Sequence, residues 1–428
     1  MNAIAIIILT ALLADFLLHL AADFLNIRAS ASGIPERFRE LFTPERYRQA
    51  REYLRVHTRF GWAASSVSLA LVLAFWFGGG FPYLDRWVRS WGFGPVVTGL
   101  LFFGVLGGLK AVVSVPFSAY ATFVIEERFG FNRTTWKTFL ADRIKGLVLG
   151  IVLGAPLAAA VLAFFETAGS NAWWLSWLGV VGFMLVMQYV APTWIMPLFN
   201  RFEPLEEGEL KNAIMAYARR IGFPLENVMV MDGSKRSGKA NAFFTGFGRR
   251  KRIVLFDTLV RDHTVDELVA VLAHEMGHYK KRHILQGLLM GIAQMGVMFY
   301  LLSIFISHPA LFEAFYMDQV SVYAGFVFFG MLYSPIDFFT GLAVMAWSRK
   351  NEYQADRFAA ETTANPEAMA NALKKLSVSN LSNLHPHPFY VALNYSHPPV
   401  LERIREIEKK SRSKINDQRS KKKTEVAS

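Results

Sequence analysis

Val271-Leu272-Ala273-His274-Glu275-Met276-Gly277-His278-Tyr279 is the stretch on which the reading of this chain turns. Two histidines four apart lie one above the other on a helical face, where both imidazoles can reach one metal ion. Glu275 follows the first histidine directly. A carboxylate there can take the proton of a metal-activated water attacking a peptide carbonyl. Thr264-Val265-Asp266-Glu267 has the spacing of a capping box, which predicts a helix starting near residue 264 with His274 near its middle. A third ligand has to come from elsewhere.

Composition sets the class of protein that carries this helix. Of 428 residues, 53% are hydrophobic and 14% aromatic, as in a membrane protein rather than two or three soluble domains. With no cysteine, any metal must be held by His, Asp or Glu. Seven apolar stretches are long enough to cross a bilayer: roughly residues 3–25, 61–80, 96–125, 146–165, 173–195, 284–307 and 320–347. The first has no basic segment before it, and Ala21-Ala22-Asp23 is a poor cleavage site, so it reads as an anchor rather than a signal peptide. The third and seventh exceed what a bilayer needs and are expected to tilt or project beyond it.

The charge between the spans gives an orientation. Arg28, Arg37, Arg39, Arg46, Arg48, Arg51, Arg55 and Arg59 lie between the first and second, whereas Arg86 and Arg89 alone follow the second. Every odd connection is basic. The positive-inside rule therefore predicts the N-terminus outside and the C-terminus cytoplasmic, and the net charge of +12 is a membrane-surface feature that calls for no nucleic acid. Asp15, His19 and Asp23 recur at intervals of four in the first span, Lys110 sits in the third and Asp337 in the seventh. Such groups are expected to face a polar interior rather than lipid.

Two polar regions interrupt the spans. The first, residues 200–283, reads as an amphipathic helix over 206–221 and two strands, 227–231 and 252–256, before the His-Glu-x-x-His helix. Between the strands, Asp232 to Phe243 is turn-rich; Gly233 to Lys239 lacks the spacing of a phosphate loop. Beyond the seventh span, Glu352 and Asp356 are four apart on one helical face, and either can supply the missing ligand. Ser396-His397-Pro398-Pro399 opens a last helix that carries Arg403. His397 can ligate metal, donate to an oxyanion or cap that helix.

His274-Glu275-x-x-His278, Asn351-Glu352-x-x-x-Asp356, Ser396-His397-Pro398-Pro399 with Arg403, Glu126-Glu127-x-Phe129-Gly130-Phe131-Asn132 and Asp232-Gly233-Ser234-Lys235-Arg236-Ser237, set among seven spans, resemble the CAAX prenyl protease 1 family. The resemblance runs from the first span to Arg403. It implies a mainly α, seven-transmembrane-helix protein enclosing a polar, water-filled chamber, with a cytoplasmic zinc metallopeptidase lobe containing a small β element. It makes His274, His278 and Glu352 the ligands of one Zn2+ and Glu275 the general base. Asp356 would orient a histidine ligand or pair with Arg403, Asn241 would hold the substrate backbone, and His397 would stabilise the oxyanion. A bound peptide would add as a strand to residues 253–256.

The implied organisation is five spans over 1–199, a catalytic region at 200–283, two spans over 284–348, cytoplasmic helices at 349–410 and a basic tail at 411–428. The expected substrate is a peptide or protein with a prenylated CAAX-type or similarly amphipathic C-terminus, cut by a monomer in the bilayer; quality control of membrane proteins by the same chemistry is the alternative. A seven-helix transporter or receptor with structural histidines is the reading from outside enzymes. The lysine-rich end, with no retention tetrapeptide, favours a bacterial inner membrane over the endoplasmic reticulum.

Overall fold

A computed structural model describes residues 1–245, 251–365 and 367–409, with backbone alone at 244 and 245. Among the described residues, seven helices are long and apolar enough to span a bilayer: α1 (Ala3–Ala29), α2 (Pro44–Phe77), α3 (Pro95–Glu126), α4 (Trp136–Thr167), α5 (Gly169–Phe199), α8 (His283–Phe305) and α9 (Val322–Thr362). Between α5 and α8 lie α6 (Glu209–Arg220) and α7 (Val265–Lys280), and α10 (Glu367–Ser379) follows α9. All seven expected spans are present. Local chemistry starts them: Asn2 accepts from the Ala5 N–H at 3.0 Å, and Thr43 caps α2 with Pro44 in its first turn. At most 17% of any span's most apolar stretch is buried against protein, so the spans leave most of that surface to lipid or to an open interior.

Three cores hold the elements in place. Near the N-terminal end of α1, Trp76, Phe81, Phe102, Phe312, Phe315 and Phe328 interlock, with the Trp76 indole N–H donating to the Ala314 carbonyl at 2.8 Å. At the other end, Phe38, Phe42, Ile125 and Phe131 pack with Met369 of α10 and Ile404. The third core seats α6 and α7 on a sheet through Ile214, Val228, Ile253, Leu255, Leu272 and Met276.

That sheet has the order β1-β2-β4-β3, from β1 (Phe202–Pro204), β2 (Leu225–Met231), β3 (Ala242–Thr245) and β4 (Lys251–Phe256). β2 and β4 are the two expected strands and run parallel; β1 and β3 pair antiparallel on their outer sides. This corrects the expectation that a peptide adds to residues 253–256. Both sides of β4 are already paired, so its backbone has no ladder left to offer, and among the described residues β3 is the edge.

The polar groups within the spans fall into different settings. Asp15, His19 and Asp23 line a cavity of about 320 Å3 between α1 and α2, where the Trp62 indole donates to Asp23 at 3.0 Å. Asp337 of α9 lies 3.5 Å from the Gln294 amide of α8, and Lys110 is exposed. The basic tail lies outside the described residues.

Candidate metal centre

The capping box at Thr264 forms as the spacing predicts: the Thr264 hydroxyl accepts from the Glu267 N–H, and the Glu267 carboxylate accepts from the Thr264 N–H at 2.9 Å. It anchors a helix that packs against α9 with almost no gap. A Cβ at Gly277 would stand 3.2 Å from the Ala355 Cα and 3.1 Å from Phe358, so the absence of a side chain there sets how closely α7 and α9 approach. α9 runs on past its apolar stretch and carries Glu352 and Asp356, both buried, against the two histidines.

Three donor groups converge as a result. His278 Nε2 lies 3.2 Å from His274 Nε2 and 3.2 Å from Glu352 Oε1, and His274 Nε2 lies 3.4 Å from Glu352 Oε2. A tetrahedron around an ion with ligand distances of roughly 2.0–2.1 Å has edges of about 3.3 Å. The His274–His278 separation matches that edge, and each imidazole nitrogen stands at about the same distance from an oxygen of Glu352, His278 from Oε1 and His274 from Oε2. Among the described residues Glu352 Oε2 is buried with no hydrogen-bond partner, an oxygen that a cation would satisfy. The donor set therefore fits a tetrahedral metal ion.

Behind the donors, His274 Nδ1 lies 2.8 Å from Asp356 Oδ1, and Arg403 grips Asp356 with two hydrogen bonds of 2.8 and 2.7 Å. Asp356 thus orients one imidazole and pairs with Arg403 at once. Burial disfavours a charged His274, but the neighbouring Asp356 and Glu352 outweigh it and push the imidazole up to about 9 in the metal-free protein. Burial raises the Glu275 carboxyl above its ordinary value, opposed by the two histidines. A raised carboxyl suits a proton acceptor that must later give the proton back.

His397 is exposed at the rim, its Nε2 3.4 Å from Glu352 Oε1 and its Nδ1 2.9 Å from the Ser396 hydroxyl. That leaves it beside the donors and open to an incoming group. Asn241 stands apart from the cluster, at the entrance to β3. Its Oδ1 accepts from the Ala242 N–H at 2.8 Å and its carbonyl from the Phe256 N–H at 3.0 Å, and among the described residues its amide NH2 has no partner. Sequence reasoning missed His283, whose ring nitrogen lies 3.1 Å from His278 Nδ1, and Gln354, which meets His283 from α9. The only advance signal was a third histidine five residues after His278.

Comparison with known proteins agrees with this geometry. The family described as CAAX prenyl protease N-terminal, five membrane helices, matches residues 23–201, and Peptidase family M48 matches residues 204–411. The chain is 34% identical to a CAAX prenyl protease 1 homolog of Dictyostelium discoideum, covering 92% of this chain and 94% of that protein. It is 33% identical to CAAX prenyl protease 1 of Saccharomyces cerevisiae, with 91% of each covered, and 31% identical to the human homolog, with 89% and 90% covered. The crystal structure of S. mikatae Ste24p superposes with a TM-score of 0.90 at 32% identity, covering 95% of this chain and 99% of that one. With seven membrane-length helices, a buried His-His-Glu cluster and near full-length kinship, the chain belongs to the CAAX prenyl protease 1 family, membrane-integrated metallopeptidases of family M48.

Proposed function

We propose that the protein hydrolyses peptide bonds near the C-terminus of prenylated CAAX-type or similarly amphipathic substrates. His274, His278 and Glu352 hold one Zn2+ per chain in this reading, supported above all by the convergence of the two imidazole nitrogens, 3.2 Å apart, on the buried Glu352 carboxylate at 3.2 and 3.4 Å. Zinc held there makes a water acidic near neutral pH and polarises the scissile carbonyl. Glu275 takes the proton of the attacking water and passes it to the leaving amine. His397, exposed beside Glu352, donates to the oxygen that gains negative charge. The substrate backbone pairs with the outer edge of β3, and Asn241 holds it where it enters.

The alternation of basic connections supports an N-terminus outside and a catalytic lobe, residues 200–283 and 349–410, on the cytoplasmic side. Asp15, His19 and Asp23 around their cavity support a wet interior in which an amphipathic substrate can sit. The chain carries the whole donor set itself, which supports work as a monomer. The test is hydrolysis of a quenched farnesylated peptide and its unmodified twin by purified protein in detergent. Glu275→Gln keeps zinc and loses hydrolysis, and the farnesylated peptide is cut preferentially. Equal cleavage of the twins overturns the substrate assignment; cleavage by Glu275→Gln overturns the mechanism.

A further inference from the structure

The two histidines of the centre are held from behind in different ways. His274 leans on Asp356, a carboxylate already neutralised by Arg403. Behind His278, among the described residues, there is no carboxylate. Its Nδ1 faces Nδ1 of His283 at 3.1 Å, and Nε2 of His283 faces Oε1 of Gln354 at 3.3 Å. His283 is buried, with 5% of its surface exposed.

The backbone goes out of its way to make this contact. On a continuous helix a residue five further on points about 140° away and cannot meet its predecessor. Here α7 ends at Lys280, Arg282 takes a left-handed conformation with φ 59°, and α8 starts at His283. A non-glycine residue in that region costs on the order of 1 kcal/mol, and the turn returns the His283 ring to the His278 ring.

The proton positions follow from the end of the chain of contacts. The Gln354 carbonyl oxygen only accepts, so His283 carries its proton on Nε2 and presents a lone pair at Nδ1. His278 then carries its proton on Nδ1, which leaves its Nε2 lone pair facing His274 and Glu352. Charge explains why a neutral acceptor is used. A divalent ion and Arg403 are balanced by Glu352, Asp356 and Glu275. A further carboxylate behind His278 would leave a buried excess of negative charge.

We propose that His283, braced by Gln354, is a positioning residue of the metal centre: it fixes His278 in the tautomer and orientation whose Nε2 can ligate. The proposal rests on His278 being a ligand. Its test therefore reads metal binding directly, with the full-length protein in detergent and zinc affinity measured by competition with a chromogenic chelator. His283→Ala is expected to weaken zinc binding ten- to a hundredfold. His283→Asn, whose Oδ1 stands where the imidazole Nδ1 stood, is expected to recover most of it, and the melting temperature of the metal-free protein should be alike in the two variants. With cobalt in place of zinc, the visible d–d bands should shift in His283→Ala and return in His283→Asn.

Unchanged zinc affinity in His283→Ala overturns the proposal. So does a loss that His283→Asn fails to rescue and that follows the metal-free melting temperature, since that is the mark of a packing role. His278→Ala serves as the control: if it binds zinc as well as the native protein, the ligand assignment has failed rather than the role of His283.

Discussion

Arg403 donates through Nε and Nη2 to the two carboxylate oxygens of Asp356, and both side chains are buried. Another guanidinium nitrogen of Arg403 lies 3.5 Å from Glu352, so one cation serves both the carboxylate that orients His274 and the one that completes the donor set. A buried pair of this kind is a poor source of net stability, but it is expensive to break. Replacing Arg403 by Met leaves the buried carboxylates of Asp356 and Glu352 to share the His274 imidazolium, and we expect a loss of about 3–5 kcal/mol. Zinc retention during dialysis should fall with it. Adding Asp356→Asn to Arg403→Met should recover part of the stability, because the excess buried negative charge goes, without restoring zinc affinity. Thermal melting and zinc content of the two variants check both statements.

The imidazole of His274 gives the centre a pH dependence whose sign can be worked out. Its burial opposes the charge, but Asp356 and Glu352 prevail and hold it protonated up to about 9 without metal, against 6.5 for the free group. A group raised on folding stabilises fully below its unfolded value and loses that contribution as pH rises through its folded one. The metal-free protein should therefore lose stability between about pH 6.5 and 9. Zinc binding must displace the same proton, so affinity should rise about tenfold per pH unit across that window and flatten above it. Calorimetry in buffers of different ionisation enthalpy should find one proton released from His274 per zinc near pH 7.5, and none from this group in His274→Ala.

The close approach of α7 to α9 depends on Gly277, and it sets the distance between the histidines and Glu352 that the proposed metal site requires. A methyl group there would press on Phe358 at 3.1 Å and on the Ala355 backbone at 3.2 Å, which demands a shift of a few tenths of an ångström. Gly277→Ala should keep zinc with modestly reduced affinity. Gly277→Val adds branches that no rotamer can place, and overpacking of this kind costs about 1–3 kcal/mol. Because the strain separates His274 and His278 from Glu352, zinc should be lost before the fold is. Zinc content against circular dichroism at 222 nm separates the two.

What could be read in advance follows the range of the interactions. The His274-Glu275-x-x-His278 helix is local: its ligand spacing and its capping box lie within 15 residues, and both are where the sequence puts them. The spans are legible because length and apolarity alone define them. Glu352 and Asp356 were equivalent on their own helix, and what separates them is α7, which puts Glu352 beside both imidazoles and Asp356 behind one. His283 was invisible because its approach depends on a left-handed turn at Arg282, where no glycine marks it. That β4 is paired on both sides was hidden for a similar reason. Residues 252–256 have the stronger strand pattern, but which strand is an edge depends on β3, four residues that start at the end of the turn-rich stretch Asp232 to Phe243.

That stretch also ties the edge strand to the membrane part. The Gly238 N–H donates to the Phe131 carbonyl at 2.9 Å and the Arg133 N–H to the Arg236 carbonyl at 3.1 Å, joining it to the connection between α3 and α4. Arg236 closes the joint from both sides, with hydrogen bonds of 2.8 and 2.9 Å to Asp142 of α4 and 2.8 Å to the Phe199 carbonyl at the end of α5. Asn241 and β3 follow within a few residues, so this joint sets where the proposed substrate edge stands relative to the spans. None of these groups touches the donor cluster. Asp142→Asn weakens a half-buried bidentate pair, which amounts to about 1 kcal/mol of lost positioning and roughly a fivefold rise in KM. Zinc content and kcat should stay close to native, because the bond-making groups are untouched. If kcat falls while KM holds, the joint acts on the chemistry instead of on the seating of the peptide, and β3 loses its claim to be the edge on which the substrate lies.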